Sequence, residues 1–531
     1  MQTAQRSLPD PTAKRLALLL LAAAGCLFAA WIAQMNFVMH DMYHELALVR
    51  EAMFRGELPL DNPFAFTPTV YPSVHHEWAM GLLLYGFCIS TGWGLMGLTI
   101  LRWMLILGIV SATYMTARRR GASPIVFALA ALLILPIAWV GFGTLRAQLV
   151  TLLFTAVQLR LVDEDRRGRR GWVLMLLPLW FVWVNIHAGF LVGAGLLAID
   201  TFERVAADLV NQWRQGRLGE RRWLMRRLVH RYWHRVGLLI AATATLGLTP
   251  YGAQYAPYVL HAVRLPRPEI AEWGPLWTTY NPGLTLLSYL MTIVLTTVAV
   301  VQLGWRRAIG TLSLIVTAYL ALRHIRHGSI YGVVWMCYAP PLLSRCKMGP
   351  AIQAWICQRQ GAVQRGAVAA IVGSLAYFFY VGGWYTVLPV QSAEMGTGNQ
   401  PVGVVEYLKE NHFRGRLQLP FGAGAYVMWH MYPDVLISID GRYEVGYPPE
   451  LLDEHRAFYR GEPGWEQMLD RYPSDAVVVP VGSPIVDAMQ SQLHWRLSYQ
   501  DDAYLLMTPP DSPIVWTDRD RRGETLPQNF L

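Results

Sequence analysis

Residues 16–34 read LALLLLAAAGCLFAAWIAQ, an unbroken apolar run long enough to cross a bilayer core of about 30 Å. Lys14 and Arg15 precede it, as basic residues precede a secretory signal. The run is long for such a segment, however, and no small-x-small cleavage site follows it, so it reads as a retained first span. The rest of the chain agrees with a membrane protein: of 531 residues, 54% are hydrophobic and 15% charged, where soluble domains carry about a quarter. The net charge of +9 is not a nucleic-acid footprint. Its cations recur in short clusters between apolar runs, at 118–120, 166–170, 214–235 and 305–307 and at Arg345, Lys347 and Arg359, the pattern of cytoplasmic loops. The five cysteines lie in or beside apolar segments and none follows residue 390, which leaves the tail without a disulfide framework or zinc spacing.

With the N-terminus and each basic cluster inside, the first span delivers residues 35–78 to the outer face. Two crossings between Trp78 and Arg118 would place the triple arginine outside. Residues 79–91 are therefore expected to be re-entrant or shallow, and 95–117 to be the second span. Further spans are expected at 123–142, 148–162, 172–187, 189–203, 236–250, 283–303, 309–322, 329–345 and 366–388, giving about eleven crossings with the tail outside. From Pro389 the composition changes. Residues 393–401 read as a linker, followed by a helix started by Pro401. Beyond it come strands in RLQLPF, DVLISIDGR, DAVVVPVG and AYLLMT, and helices near 449–459, 463–471 and 484–493. The expected organisation is a transmembrane domain, 1–390, and a small exported α/β domain, 391–531.

On this topology the polar residues outside the basic loops gather at the outer face, where ionisable groups at membrane depth mark function. Residues 41–55 place Leu46, Val49 and Met53 at helical spacing, with Asp41, His44, Glu45 and Arg50 on other faces. Gly56 caps this helix and Pro59 stops it, so it reads as an amphipathic helix along the interface with a solvated face. Asp41 stands apart because it sits at the junction of span and helix, where a carboxylate is half buried. His40 and His44, with His75, His76 and Glu77 of VHHEWAM (74–80), offer imidazole and carboxylate ligands to a divalent metal ion. Arg146, Arg323 and Arg326 can hold phosphate through bidentate hydrogen bonds or anchor span ends. Gln148 lies beside Arg146, and Asn185 and His187 suggest a packed polar pocket. Asp440, in SIDGRYEVGY (438–447), reads as ordinary Asp-Gly turn chemistry.

One span, an outer loop opening with an acidic residue, an interfacial helix, many further spans and an exported tail together resemble the GT-C superfamily of polytopic membrane glycosyltransferases. More closely, the chain is similar to a group of bacterial membrane proteins sharing HDMYHELALVREAMFRGELPLDNPFAFT, HHEW, LRAQ, WVNIHAGFLVG and GAYVMWHMYPDVLISIDGRYE. Ala147 replaces a commoner Pro in the third stretch and Ala188 a glycine in the fourth. The resemblance implies transfer of a sugar from a polyprenyl-phosphate carrier to an extracytoplasmic glycan, lipid or protein acceptor at the bacterial inner membrane. Asp41 would be the general base and Glu77 the next candidate. His44, His76, Arg146, Gln148, Asn185, His187, Arg323 and Arg326 would bind substrate. A lipid-borne donor needs no nucleotide-binding motif, and the sequence has none. A transporter or flippase of a lipid-linked sugar would favour ionisable groups at mid-membrane; a non-catalytic scaffold with an exported binding domain is the third reading.

Overall fold

The computed structural model describes residues 11–36, 38–165, 168–216, 221–265, 267, 270–304, 308, 310–386, 400–524 and 526. Residues 393–399 of the expected linker lie outside that set, as do residues 166–167, 217–220 and 305–307 of the expected basic loops. The chain is mostly helical, with one sheet near its C-terminal end. The helices are α1 (Pro11–Ile32), α2 (Asp41–Arg55), α3 (Trp78–Tyr85), α4 (Gly94–Arg119), α5 (Pro124–Ala138), α6 (Val140–Gly143), α7 (Ala147–Asp165), α8 (Trp172–Ile186), α9 (Phe190–Arg214), α10 (Arg221–Ala244) and α11 (Tyr255–Arg264). They continue as α12 (Pro282–Leu303), α13 (Thr311–Arg323), α14 (Gly328–Arg345), α15 (Met348–Gln358), α16 (Gln360–Tyr380), α17 (Val402–Glu410), α18 (Phe421–Met431), α19 (Tyr443–Gly446), α20 (Pro449–Arg460), α21 (Gln467–Arg471) and α22 (Ile485–Leu493).

Four helices among the described residues are long and apolar enough to cross a membrane: Thr12–Met35, Gly94–Arg119, Pro282–Leu303 and Gln360–Tyr380. A fifth is added if Arg222–Leu248 and Gly252–Arg264, bent by 116° at their break, form one span. These are the properties of a membrane protein. The other expected crossings are helical, but α5, α8 and α13 have only 13–15 residues, short of the roughly 20 a bilayer core needs. The expected re-entrant or shallow segment, 79–91, falls on one short apolar helix, Trp78–Ser90, whose last turn, Gly86–Ser90, is π-helical.

Contacts divide the chain into two compact units that interleave in sequence. One comprises Met1–Asn36, Leu101–Leu248 and Pro266–Tyr385; the other Phe37–Ile100, Thr249–Leu265 and Thr386–Leu531. The sequence placed a single boundary at 390. The tail instead shares its unit with the first loop and with residues 249–265.

In the first unit α14 is the central helix, buried along Gly328–Leu343 and packed against α5, α7, α12 and α13. An all-round apolar helix is what a core position requires. Its Gly328 and Gly332 let α5 approach closely, since a Cβ on Gly332 would stand 2.6 Å from the Ala138 Cβ. The buried Arg102 of α4 ties this unit together. It donates to the Ile32 carbonyl at 2.9 Å and to the Asn36 side chain, and Asn36 donates to the Gly382 carbonyl at 3.0 Å.

In the second unit a six-stranded sheet has the order β2-β1-β3-β5-β4-β6, where β1 is Gly415–Gln418, β2 Val435–Ile437, β3 Ala476–Pro480, β4 Arg496–Gln500, β5 Tyr504–Thr508 and β6 Arg519–Asp520. β1 runs parallel to β2 and β3, and β3 and β4 run antiparallel to β5. The central β3, AVVVP, is buried along Ala476–Val479, the pattern of a strand covered on both faces. α20 starts at Pro449, buries Leu451, Leu452, His455 and Phe458, and ends at Gly461 in the left-handed conformation, a Pro-start, Gly-stop helix.

The first loop completes this sheet's edge. The Phe66 amide donates to the Ile437 carbonyl at 3.1 Å, and the Ile437 amide donates to the Phe64 carbonyl at 2.9 Å, so residues 64–66 run parallel beside β2. An edge that would otherwise offer unpaired backbone groups is covered.

Candidate functional site

Gly56 caps α2 as expected, at φ +79° with its amide on the Ala52 carbonyl. The expected solvated face of α2 is not found. Glu45 and Glu51 are 5% and 8% exposed, because α18 covers one side of the helix and α3 another. Tyr43 meets Tyr426 edge-on with centroids 5.0 Å apart, the Arg50 guanidinium lies 4.4 Å over Trp429, and Phe64 packs on Tyr432. The shared stretches of the first loop and the tail therefore fold against each other within one unit.

At their junction lies a buried ionic cluster. The turn after β2 brings the Arg442 amide to Asp440 Oδ1 at 2.9 Å, and the Arg442 guanidinium grips both carboxylate oxygens. Tyr447 donates to Asp440 Oδ2 at 3.0 Å. Arg442 Nη2 donates to Asn62 Oδ1 at 2.8 Å, and Nη1 lies 3.3 Å from His75 Nδ1. Asp440 has no exposed surface. Burial alone would raise its carboxyl, but Arg442 and then His44 outweigh that and hold it well below the usual carboxylate range.

Two histidines beside this pair are driven apart. Burial would lower the His44 imidazole, yet its hydrogen bond to Glu45, 3.0 Å away, and the charges of Glu45, Asp41 and Asp440 raise it. His75 is pushed well below its ordinary value by burial, Arg442 and His44. With Nδ1 accepting from Arg442, neutral His75 carries its proton on Nε2. That atom, His44 Nδ1 and Glu45 Oε2 are buried with no hydrogen-bond partner among the described residues, so an imidazole N–H, a second ring nitrogen and a carboxylate oxygen stay open to a polar ligand.

The groups that solvent reaches lie around this cluster. The Asp41 carboxylate, 23% exposed, is 3.4 Å from His40 and faces Gly441, where a Cβ would stand 3.5 Å from Asp41 Oδ1. His76 receives Tyr258 at 2.8 Å on Nδ1 and lies 3.4 Å from Glu77 on Nε2. Tyr258 also lines a cleft of about 360 Å³ with Val70, Tyr71, Val74, Gln254 and His261. Asp41, His44, His76 and Glu77 thus belong to one unit. Arg442 and Asn62 are residues the sequence reading missed, their only available signal being their presence in the shared stretches; Asp440 reads there only as a turn residue and His75 only as a ligand for a metal ion. Among the described residues, no three His, Cys, Asp or Glu side chains are grouped to hold a metal ion.

The remaining candidates lie in the other unit. Arg146 is paired with Glu272 at 2.7 Å, so an incoming phosphate would compete with a carboxylate for it. Gln148 donates to the Arg326 carbonyl at 2.8 Å and to Ser329 at 3.2 Å. Arg326 and Arg267 both stack on Trp273, 4.6 and 4.7 Å from its ring, and His324 Nδ1 is 2.7 Å from the Trp273 carbonyl. His187 bonds Thr151 at 2.7 Å, and Thr151 also accepts from Trp183; Asn185 donates to the Phe181 carbonyl. Arg323 is exposed at the end of α13. The structure brings Arg146, Gln148 and Arg326 into one aromatic and cationic cluster and joins His187 to α7 through Thr151. A groove of about 470 Å³ in this unit is lined by apolar side chains and Thr245, and offers no acid–base chemistry.

No protein-family model matches the chain, and no curated protein matches it.

Proposed function

We propose that this membrane protein is a lipid-dependent glycosyltransferase of the bacterial inner membrane, with about eleven crossings and its tail and first loop outside. Asp41 is its general base. The observation that carries this reading is the Asp41 carboxylate, partly exposed at the start of α2 and set against the turn that holds the buried Asp440–Arg442 pair. An acceptor hydroxyl is a poor nucleophile. A carboxylate in hydrogen-bond reach removes its proton as the glycosidic bond forms, a contribution of roughly 10²–10⁴-fold. The proton passes to Asp41, and the carrier phosphate leaves with the bond electrons. A guanidinium is the type of donor that stabilises such a leaving group.

Oppositely shifted His44 and His75 support the assignment, since environments that drive titratable groups apart characterise acid–base sites. Their open hydrogen-bonding atoms suit a hydroxyl-rich ligand. The test is complementation of a deletion strain with wild type or Asp41→Asn at matched membrane levels, following envelope glycans by mass spectrometry. The reading requires a glycan that loses one sugar on deletion and is restored by wild type alone. Full restoration by Asp41→Asn would refute it.

A further inference from the structure

Helix α10, RRWLMRRLVHRYWHRVGLLIAATA, contains no acidic residue. Its inner face is fixed by ion pairs: the fully buried Arg235 contacts Asp165 and Asp200 at 2.7 Å each, and Tyr232 donates to Asp208 at 2.9 Å. The carboxylates near α10 are therefore engaged on that side. The outer face is different. Met225, Val229, Trp233, Val236 and Ile240 are 50–66% exposed and recur at steps of three and four, so they form one apolar stripe running from the basic half of the helix into its apolar half. Arg222 and Arg226 are exposed along that stripe, and Arg227 is exposed on another side of the same basic half, its guanidinium 5.3 Å from the Trp223 ring. No carboxylate among the described residues pairs with any of the three.

We propose that this face of α10 binds the headgroups of anionic phospholipids. Apolar side chains interleaved with cations and carrying an indole make the composition of a helix seated at a membrane interface. The choline ammonium of a zwitterionic headgroup offsets its own phosphate and leaves the guanidiniums' net charge unbalanced, whereas a net-anionic headgroup accepts paired hydrogen bonds from a guanidinium and balances its charge. Each arginine near an anionic surface strengthens binding by about five-fold, so Arg222 and Arg226 together confer a preference on the order of thirtyfold.

Full-length protein in nanodiscs of phosphatidylcholine, alone or mixed with phosphatidylglycerol, tests this by native mass spectrometry of retained lipid and by thermal melting. Wild type is expected to retain phosphatidylglycerol selectively and to melt higher in its presence. Arg222→Gln/Arg226→Gln/Arg227→Gln loses both effects while melting like wild type in phosphatidylcholine alone. The corresponding triple Lys variant keeps most of the preference. If the triple Gln variant melts low in every lipid, the Lys variant decides the matter. Equal retention of phosphatidylglycerol by wild type and the Gln variant overturns the proposal, as does displacement of the lipid by inorganic phosphate, which would mark a site for free anions.

Discussion

Asp440 and Arg442, two residues apart on the turn after β2, form an ion pair in which the carboxylate is fully buried and the guanidinium nearly so, and Arg442 carries it onward to Asn62 and His75 of the first loop. A buried pair contributes little net stability over an apolar one, but breaking it leaves a charge with no counterion, at a cost of about 3–5 kcal/mol. Asp440→Asn is therefore expected to lower the melting temperature of the full-length protein sharply. Asp440→Asn combined with Arg442→Met should recover part of the loss, because the orphan charge is gone. Equal melting of Asp440→Asn and wild type would contradict the role given to the pair.

Acid should loosen this unit in two stages. His75 is held well below its ordinary value by burial, Arg442 and His44. Burial foremost, with nearby cations, lowers His430 to about 3 and, against a hydrogen bond to the Leu419 carbonyl, His455 to about 4. A histidine depressed by folding stabilises fully above its unfolded value of about 6.5, and that stability is lost as pH falls toward the folded value. At pH 5 His430 and His455 would each cost about 2 kcal/mol. His44, raised in the folded state, acts oppositely: its contribution is complete below about 6.5 and is lost as pH rises through the folded value. Asp440 adds the second stage, losing its contribution below about pH 4. Melting curves should shift down between pH 7 and 5, less steeply in His430→Phe.

Gly441 is expected to tolerate alanine, since a Cβ there meets Asp41 and His40 at ordinary contact distance. A leucine would push the Asp41 carboxylate aside. Gly441→Leu should keep the wild-type melting temperature within a few degrees while glycan complementation fails; an active Gly441→Leu would show that Asp41 need not hold its place.

The Phe66 amide ties the first loop to β2. Phe66→Pro deletes that donor, leaves the Ile437 carbonyl without it, and should cost about 1–3 kcal/mol. Limited proteolysis between residues 56 and 75 reports the change, with faster cleavage in the variant.

Much of this architecture was legible because it is local. The spans at α1, α4, α12 and α16 announce themselves by length and hydropathy, α2 by its spacing and Gly56, and β1, β2, β3 and β5 by apolar runs between turn residues. The segment FGAGAYVMWHM was not read as a helix, because its glycines and aromatic residues carry weak local preference and α18 gains its stability from packing on α2 and β2. β4 and β6 were missed too; RLSYQ is polar along much of its length and β6 has two residues. The ionic cluster was the least legible feature. Arg442 meets Asn62 and His75 across 380 and 367 residues, and no spacing rule spans such a distance. For the same reason α2 was assigned a solvated face that the tail covers.

The most direct test of the central claim uses membrane vesicles containing wild type or Asp41→Asn, supplied with a radiolabelled polyprenyl-phosphate sugar and an envelope glycan extract. The account predicts label passing from the carrier to the glycan fraction with wild type, and a rate about 10²–10⁴-fold lower with Asp41→Asn at equal protein level and melting temperature. Transfer at the same rate by both proteins would contradict it.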